Sequence, residues 1–215
     1  MQAVVKRTEA WRAVPPFSLI GPYNRSLLEA LLPSASTIQK VAVALLFVGL
    51  LVAFGRARFY LPDNPVPITL QTFGVLLTGG VLGFRWGIFA VLTWFFLGMA
   101  GVPVFKDGGN GWDYVSGTVT AGYILGFIGS VGLVGYLSQR GWNQGGRAVW
   151  AMLLGGLFLY IPALLWLQFY DFGWPAEGEL FSSAVYPFIP GDLVKIMGAA
   201  LVTGGLWWWA DKRSR

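Results

Sequence analysis

Long apolar stretches separated by short polar connections dominate this chain. Four of them contain no Asp, Glu, Lys or Arg: residues 64–84, 86–105, 114–139 and 148–170. Each has about the 20 residues that a helix needs to cross the hydrocarbon core of a bilayer. Residues 35–54, which carry Lys40 near their start, and residues 192–210 have the same character. Long continuous apolar runs without strand-like alternation predict six transmembrane helices and not a barrel.

The composition supports an all-α integral membrane protein. Hydrophobic residues make up 55% of the 215 residues and charged residues 12%, with a mean hydropathy of +0.61. These values lie outside the range of soluble domains. The chain has no Cys and no His, which excludes disulfides, thiolate chemistry, zinc sites with N or S ligands and His acid–base catalysis. No G-x-x-x-x-G-K-[ST] occurs, so a P-loop ATPase is excluded, and we expect no bound cofactor or metal.

The positive charges predict the orientation in the membrane. The net charge is +5, but the basic residues lie in connections and not on an aromatic–basic face, so topology explains them better than nucleic-acid binding does. Most of them fall on the cytoplasmic side when the N-terminus is inside. We therefore predict a cytoplasmic tail (1–34), a six-helix domain in the inner (plasma) membrane (35–210) and a basic cytoplasmic C-terminus (211–215). The connections near residues 56–67, 106–113 and 171–191 then face outward.

Two charges at the start of the last apolar run form the first candidate site. Asp192 and Lys195 follow a Pro-Gly turn, and between residues 180 and 210 the other ionisable side chain is Tyr186. A charge at the centre of a membrane helix costs about 2.5–3.5 kcal/mol, so such residues tend to be functional. Asp192 has an alternative explanation as a helix cap. Lys195 opposes the helix dipole, and an i, i+3 pair with Asp192 adds only about 0.2–0.5 kcal/mol, so we infer a ligand with an acceptor or an anion.

Aromatic and polar residues around these two charges are the expected walls of this site. They are Gln71, Phe73, Phe105, Asn110, Trp112, Tyr114, Tyr123 and Phe188. Binding pockets commonly combine an apolar lining with a few fixed polar groups, and this set has that composition. Enrichment of Trp and Tyr at membrane interfaces explains each aromatic residue equally well. The candidates on which the site depends are Asp192, Lys195, Asn110, Tyr123, Gln71 and Phe105.

Four ordered motifs give the chain a family resemblance. They are Val66-Pro-Ile-Thr-Leu-Gln-Thr-Phe-Gly-Val-Leu-Leu-Thr-Gly, Leu97-Gly-Met-Ala-Gly-Val-Pro-Val-Phe, Gly122-Tyr-Ile-Leu-Gly-Phe and Phe188-Ile-Pro-Gly-Asp-Leu-Val-Lys. Over roughly residues 38–210 the chain resembles the BioY family, the biotin-specific S components of energy-coupling factor (ECF) vitamin transporters. The resemblance implies a six-helix S component that captures biotin on the outer face. It also implies two partners, a transmembrane coupling protein and a pair of ATPases.

The resemblance further implies that Asp192 and Lys195 belong to the biotin site, with the loop around Asn110 and the segment at Tyr123 contributing. A carboxylate can accept the ureido N–H groups of biotin, and a lysine can donate to the ureido carbonyl or to the valerate carboxylate. Which end Lys195 holds stays open, with Asn110 or Gln71 as candidates for the other. The alternatives are an S component for another vitamin, a structural subunit, and a lipid-modifying enzyme that uses the outer-loop acids Asp171, Glu177 and Glu179.

Overall fold

A computed structural model describes residues 25–142 and 146–213, which are predominantly helical. The α-helices are α1 (Leu27–Leu31), α2 (Thr37–Arg56), α3 (Gln71–Met99), α4 (Gly111–Gly117), α5 (Ala121–Leu137), α6 (Arg147–Phe158), α7 (Tyr160–Phe169), α8 (Leu180–Ala184) and α9 (Ile189–Arg213). Short 3-10 turns occupy Lys106–Gly108 and Tyr186–Phe188, and a π-helical turn, Ser138–Trp142, follows α5. Two short strands, β1 (Arg58–Phe59) and β2 (Ile68–Thr69), pair antiparallel between α2 and α3.

Several helical segments are suited to a bilayer. Five segments within the described ranges are long and apolar enough to cross a membrane: Thr37–Arg56, Gln71–Met99, Ala121–Trp142, Arg147–Phe169 and Leu180–Arg213. Large apolar side chains cover their outer surfaces, such as Leu201 of α9, which is 71% exposed. An apolar outer surface is stable against lipid and not against water. The predicted class, a multi-pass helical membrane protein, is confirmed.

Helix α3 covers the larger part of both apolar stretches predicted at residues 64–84 and 86–105. Its regular geometry breaks at Gly83, where φ is 75° and ψ is −171°, a conformation that favours glycine. A Cβ placed on Gly87 would lie 3.5 Å from the Cα of Gly79, so the two halves of α3 fold back on each other. The Phe84 amide at the break donates a 2.9 Å hydrogen bond to Oε1 of Gln139.

Small residues allow α5 to approach α7 closely. A Cβ on Gly126 would lie 2.4 Å from the carbonyl oxygen of Leu159, and one on Gly122 would lie 2.6 Å from that of Pro162. The four-residue spacing of Gly122 and Gly126 therefore serves helix packing here. Gly49 and Gly204 are different, because a Cβ on either would meet no atom within 4 Å.

The predicted cytoplasmic tail includes a structured portion. Residues 1–24 lie outside the described residues, but Ser26 caps α1 and forms a capping box with Glu29. Leu27 and Leu28 of this short helix are buried. At the other end α9 continues through the first residues of the predicted basic tail to Arg213, and residues 214–215 lie outside the description.

Candidate ligand-binding site

A recess opens where the β1–β2 connection and the first turns of α3, α5 and α9 meet. It contains about 690 Å³ of space, including its opening. Its lining is Gly55, Arg58, Val66, Pro67, Thr69, Gln71, Thr72, Trp94, Phe105, Lys106, Thr120, Tyr123, Ile124, Phe127, Leu159, Tyr160, Phe188, Asp192 and Lys195. The structure thus brings together Asp192, Lys195, Tyr123, Gln71 and Phe105 from the predicted site. We call this space the cavity.

Asp192 and Lys195 form a buried ion pair in the wall of the cavity. Nζ of Lys195 lies 2.9 Å from Oδ1 of Asp192, and each residue is only 8% exposed. The hydroxyl of Tyr160 donates a 2.5 Å hydrogen bond to Oδ2 of Asp192. Both carboxylate oxygens are therefore already bonded to side chains, and together these three residues form the Asp–Lys–Tyr cluster.

Local sequence places the two charged residues of this cluster at the start of α9. Pro190 is the second residue of the helix, a position where its missing N–H costs nothing. Because α9 begins at Ile189, Asp192 lies within the first turn and its carboxylate bonds to side chains. The capping alternative therefore does not describe this carboxylate. The i, i+3 pair is present, but burial and the bond from Tyr160 distinguish it from an exposed surface pair.

Tyr123 shapes the cavity through its ring. Its hydroxyl donates a 2.7 Å hydrogen bond to the carbonyl of Ala184, which ties α5 to α8. The ring packs edge-on against Tyr160 at a centroid distance of 6.1 Å and lies tilted at 6.5 Å from Phe188. The hydroxyl is thus engaged by the protein, and the ring contributes an apolar wall.

Gln71 and Phe105 both line the cavity, and contacts within the protein hold each of them. Nε2 of Gln71 donates to the carbonyl of Leu51 at 3.3 Å, so the amide is held against α2. Phe105 is 3% exposed and packs edge-on against Trp94 at 5.1 Å. On its other side it stacks with Tyr114 at 5.8 Å.

Other predicted residues do not line the cavity. Asn110 is exposed, and its side-chain amide donates to the carbonyl of Gly108 at 3.0 Å. Trp112 is 67% exposed, and Tyr114 lies behind Phe105. The glycine-rich connection contributes to the cavity instead through Phe105 and Lys106. The outer-loop acids Asp171, Glu177 and Glu179 are also exposed and outside the lining.

Two cations at the mouth were not singled out from the sequence, where both counted only as loop charges. Arg58 pairs with Asp107 at 2.8 Å, and Tyr60 donates a 2.6 Å hydrogen bond to the same carboxylate. Lys106 donates to the carbonyl of Pro65 at 2.7 Å. These bonds join the β1–β2 connection to the 3-10 turn after α3. We call Arg58, Tyr60, Lys106 and Asp107 the mouth cluster.

Partial burial changes the titration of the mouth cluster. Burial raises the pKa of Tyr60, and the hydrogen bond to Asp107 raises it further, to about 12. Burial lowers the pKa of Lys106, although the nearby Asp107 carboxylate acts in the opposite direction. Lys106 also lies 5.4 Å from the centre of the Tyr60 ring, within cation–π range.

Tyr160 and Trp94 are also cavity residues that the sequence reading missed. Both lie in apolar stretches without charged residues. The indole N–H of Trp94 and the hydroxyl of Tyr160 are polar groups in these stretches, and they are the signal that could have identified the two residues. Periodicity alone gives no indication that they face the same space as Asp192. Their selection requires the tertiary packing that brings residues of α3, α7 and α9 to one cavity.

Comparison with known proteins assigns the family. The family model described as "BioY family" matches residues 27–212. The chain belongs to the BioY family. The BioY relative "Biotin transporter BioY" from Rhizobium etli is 34% identical over 176 residues, covering 76% of this chain and 90% of that protein. The protein of the same name from Thermotoga maritima is 32% identical over 166 residues, covering 77% of this chain and 94% of its own.

The BioY fold also has a match among solved structures. The crystal structure of "the S-component for biotin from an ECF-type ABC transporter" aligns with a TM-score of 0.69. The alignment covers 80% of this chain and 94% of that one at 24% sequence identity. At this identity the likeness concerns the fold.

Proposed function

We propose that this BioY-family chain binds biotin as the substrate-specific S component of an ECF-type transporter. A transmembrane coupling protein and separate ATPase subunits supply the energy, and this chain performs no chemistry on its substrate. The observation that carries the proposal is the Asp–Lys–Tyr cluster, a buried set of fixed charges in an otherwise largely apolar cavity. Burying a charge pair is costly, and a polar ligand that completes its hydrogen bonds explains why it lies there.

The fused rings of biotin fit the bonding capacity of this cluster. An ionised carboxylate has about four acceptor positions, so Asp192 can keep its bonds to Tyr160 and Lys195 and still accept two ureido N–H groups. The Lys195 ammonium has three N–H donors and makes one hydrogen bond among the described residues. A second donor can therefore bond to the ureido carbonyl. The aromatic walls would contact the thiophane ring.

The mouth cluster provides a partner for the other end of biotin. Arg58 and Lys106 line the same cavity as the Asp–Lys–Tyr cluster but come from the connections at its entrance. A carboxylate pairs well with a guanidinium or an ammonium group. We therefore assign the ureido end to Lys195 and the valerate carboxylate to the mouth cluster. Gln71 then contacts the aliphatic chain near the entrance.

The orientation we propose has six crossings, both termini in the cytoplasm and the cavity facing outward. The fold-back at Gly83 divides α3 into two antiparallel halves, which supports six crossings instead of five. Cavity residues come from the end of α2 and the start of α9, opposite the ends that hold Thr37 and Arg213. Basic residues at those opposite ends support a cytoplasmic location for them.

Direct binding of radiolabelled biotin to the purified protein tests the proposal. Lys195→Ala and Asp192→Ala should each weaken binding strongly, because each leaves an unpaired buried charge and removes a ligand contact. Asp192→Asn should weaken it less, since the amide keeps one acceptor oxygen. Lys40→Ala is the control, because Lys40 pairs with Glu29 near the start of α2, away from the cavity. Negligible effects of all three cavity variants would contradict the assignment.

Binding of competing vitamins and co-purification separate the alternatives. Saturable binding of labelled thiamin or riboflavin that unlabelled biotin does not displace would identify an S component for another vitamin. Co-purification with ATPase subunits supports transport. A structural subunit predicts association without saturable ligand binding.

A further inference from the structure

The indole N–H of Trp94 is without a hydrogen-bond partner in the part of the chain that the structure describes. Its Nε1 is buried and has no acceptor among the described residues, and the whole residue is 1% exposed. Buried tryptophan normally pairs this N–H, because an unsatisfied buried donor costs free energy. Trp94 is also part of the cavity lining.

Packing fixes the Trp94 ring in the cavity wall. The ring lies edge-on to Phe105 at 5.1 Å and tilted against Phe127 at 6.0 Å, and both of these residues also line the cavity. The indole can only donate a hydrogen bond and cannot accept one. A ligand in the cavity with an acceptor atom therefore matches the one polar function that Trp94 has.

The position of Trp94 along α3 indicates which end of the ligand it contacts. It lies little more than one turn before Met99, where α3 ends, so it is deeper than the mouth residue Lys106. Asp192 and Lys195 likewise lie about one to two turns inside α9. Trp94 and the Asp192–Lys195 pair thus each lie about one to two turns inside their helices, whereas Lys106 belongs to the connection at the mouth.

We propose that Trp94 is a ligand-binding residue that donates its indole N–H to the ureido carbonyl oxygen of biotin. This inference rests on the proposed function. A carbonyl oxygen has two lone pairs, so it can accept from Lys195 and from Trp94 together. The two donors select a ligand with a strong neutral acceptor at this end.

Trp94→Phe removes the donor and keeps an aromatic ring. Loss of one neutral hydrogen bond should weaken biotin binding by about threefold to tenfold. Thiobiotin, in which sulfur replaces the ureido oxygen, is a weaker hydrogen-bond acceptor. Trp94→Phe should therefore weaken thiobiotin binding much less than it weakens biotin binding. Replacing Trp94 with benzothienylalanine, which has sulfur in place of the indole N–H, removes the donor at nearly constant shape and should give the same selective loss.

Trp207→Phe is the matched control. Trp207 is 3% exposed, its Nε1 also lacks a partner among the described residues, and it lies outside the cavity lining. Replacing a buried indole with a smaller ring can affect folding in both Trp94→Phe and Trp207→Phe. The loss of biotin affinity should appear only in Trp94→Phe. Equal loss for biotin and thiobiotin, or unchanged affinity in the benzothienylalanine protein, would overturn the inference. Failure of the wild-type chain to bind biotin would instead overturn the proposed function.

Discussion

Tyr160→Phe isolates the contribution of one hydroxyl to the candidate site. The change deletes the group that donates a 2.5 Å hydrogen bond to Oδ2 of Asp192 and keeps the ring that packs against Tyr123. Asp192 retains its 2.9 Å pair with Lys195, so no charge becomes unpaired. The carboxylate loses the contact that fixes the orientation of its plane.

The expected loss follows from the type of bond. A hydrogen bond to a charged group contributes about 1.5–3 kcal/mol, and complete loss from the complex would weaken binding by roughly 10- to 150-fold. A ureido N–H can occupy part of the vacated acceptor position on Asp192. We therefore expect the low end, about tenfold, together with a lower thermal stability of the ligand-free protein.

Equilibrium binding of radiolabelled biotin, measured beside thermal unfolding, gives both quantities. Tyr186→Phe is the control, because this tyrosine precedes α9, the helix that carries Asp192, but is 62% exposed and outside the cavity lining. Unchanged biotin affinity in a folded Tyr160→Phe protein would refute the inference that Tyr160 positions Asp192. A comparable loss in Tyr186→Phe would refute its specificity.

Three further predictions concern the mouth cluster and the helix contacts. Arg58→Ala should weaken biotin binding by about tenfold but leave biotinamide binding unchanged, because only biotin offers a carboxylate to the guanidinium. The tyrosinate absorbance that Tyr60→Phe removes should titrate near pH 12 and not near 10.0. Since the pKa of Tyr60 is raised on folding, its contribution to stability is complete below pH 10.0 and is lost as pH rises through about 12. Gly126→Ala should lower stability by about 1–3 kcal/mol, because its Cβ would lie 2.4 Å from the Leu159 carbonyl oxygen.

Each of these predictions has its own control or contradicting result. Equal losses for biotin and biotinamide would place the carboxylate away from Arg58. A Tyr60 midpoint near 10.0 would mean that the phenol is free of Asp107 and of burial. Gly49→Ala is the matched helix control, because nothing lies within 4 Å of its added methyl group. An equal stability loss in that variant would mean that the contact between α5 and α7 is not the cause.

The charged part of the site could be predicted from sequence, because charge in an apolar run is conspicuous. Asp192 and Lys195 stand out in this way. The sequence places a Pro-Gly turn before the helix, but α9 begins at Ile189, so Pro190 and Gly191 lie in its first turn. The spans predicted at residues 64–84 and 86–105 meet at Arg85, two residues after the break at Gly83 inside α3. The uncharged runs predict two spans here, and the structure adds that the helical geometry breaks at a single residue and not at a loop.

The uncharged and loop-borne parts of the site depend on tertiary packing. Tyr160 reaches Asp192 from a different helix, across 32 positions of sequence, so no local pattern links them. In the sequence Arg58 counts only as a loop charge. The β1–β2 pairing brings it to the cavity mouth. Asn110 has the composition expected of a binding residue, yet its amide bonds within its own loop. Which of these loop residues lines the cavity depends on the backbone conformation of the loop.

The most direct test of the central claim is saturable biotin binding by the purified chain, compared with the Lys195→Ala variant. We expect the wild-type protein to bind radiolabelled biotin with displacement by unlabelled biotin, and we expect Lys195→Ala, folded and at equal concentration, to lose most of that binding. The buried contact between Lys195 and Asp192 is the physical reason. Absence of saturable binding in the wild-type protein, or equal affinity in the variant, would contradict the account.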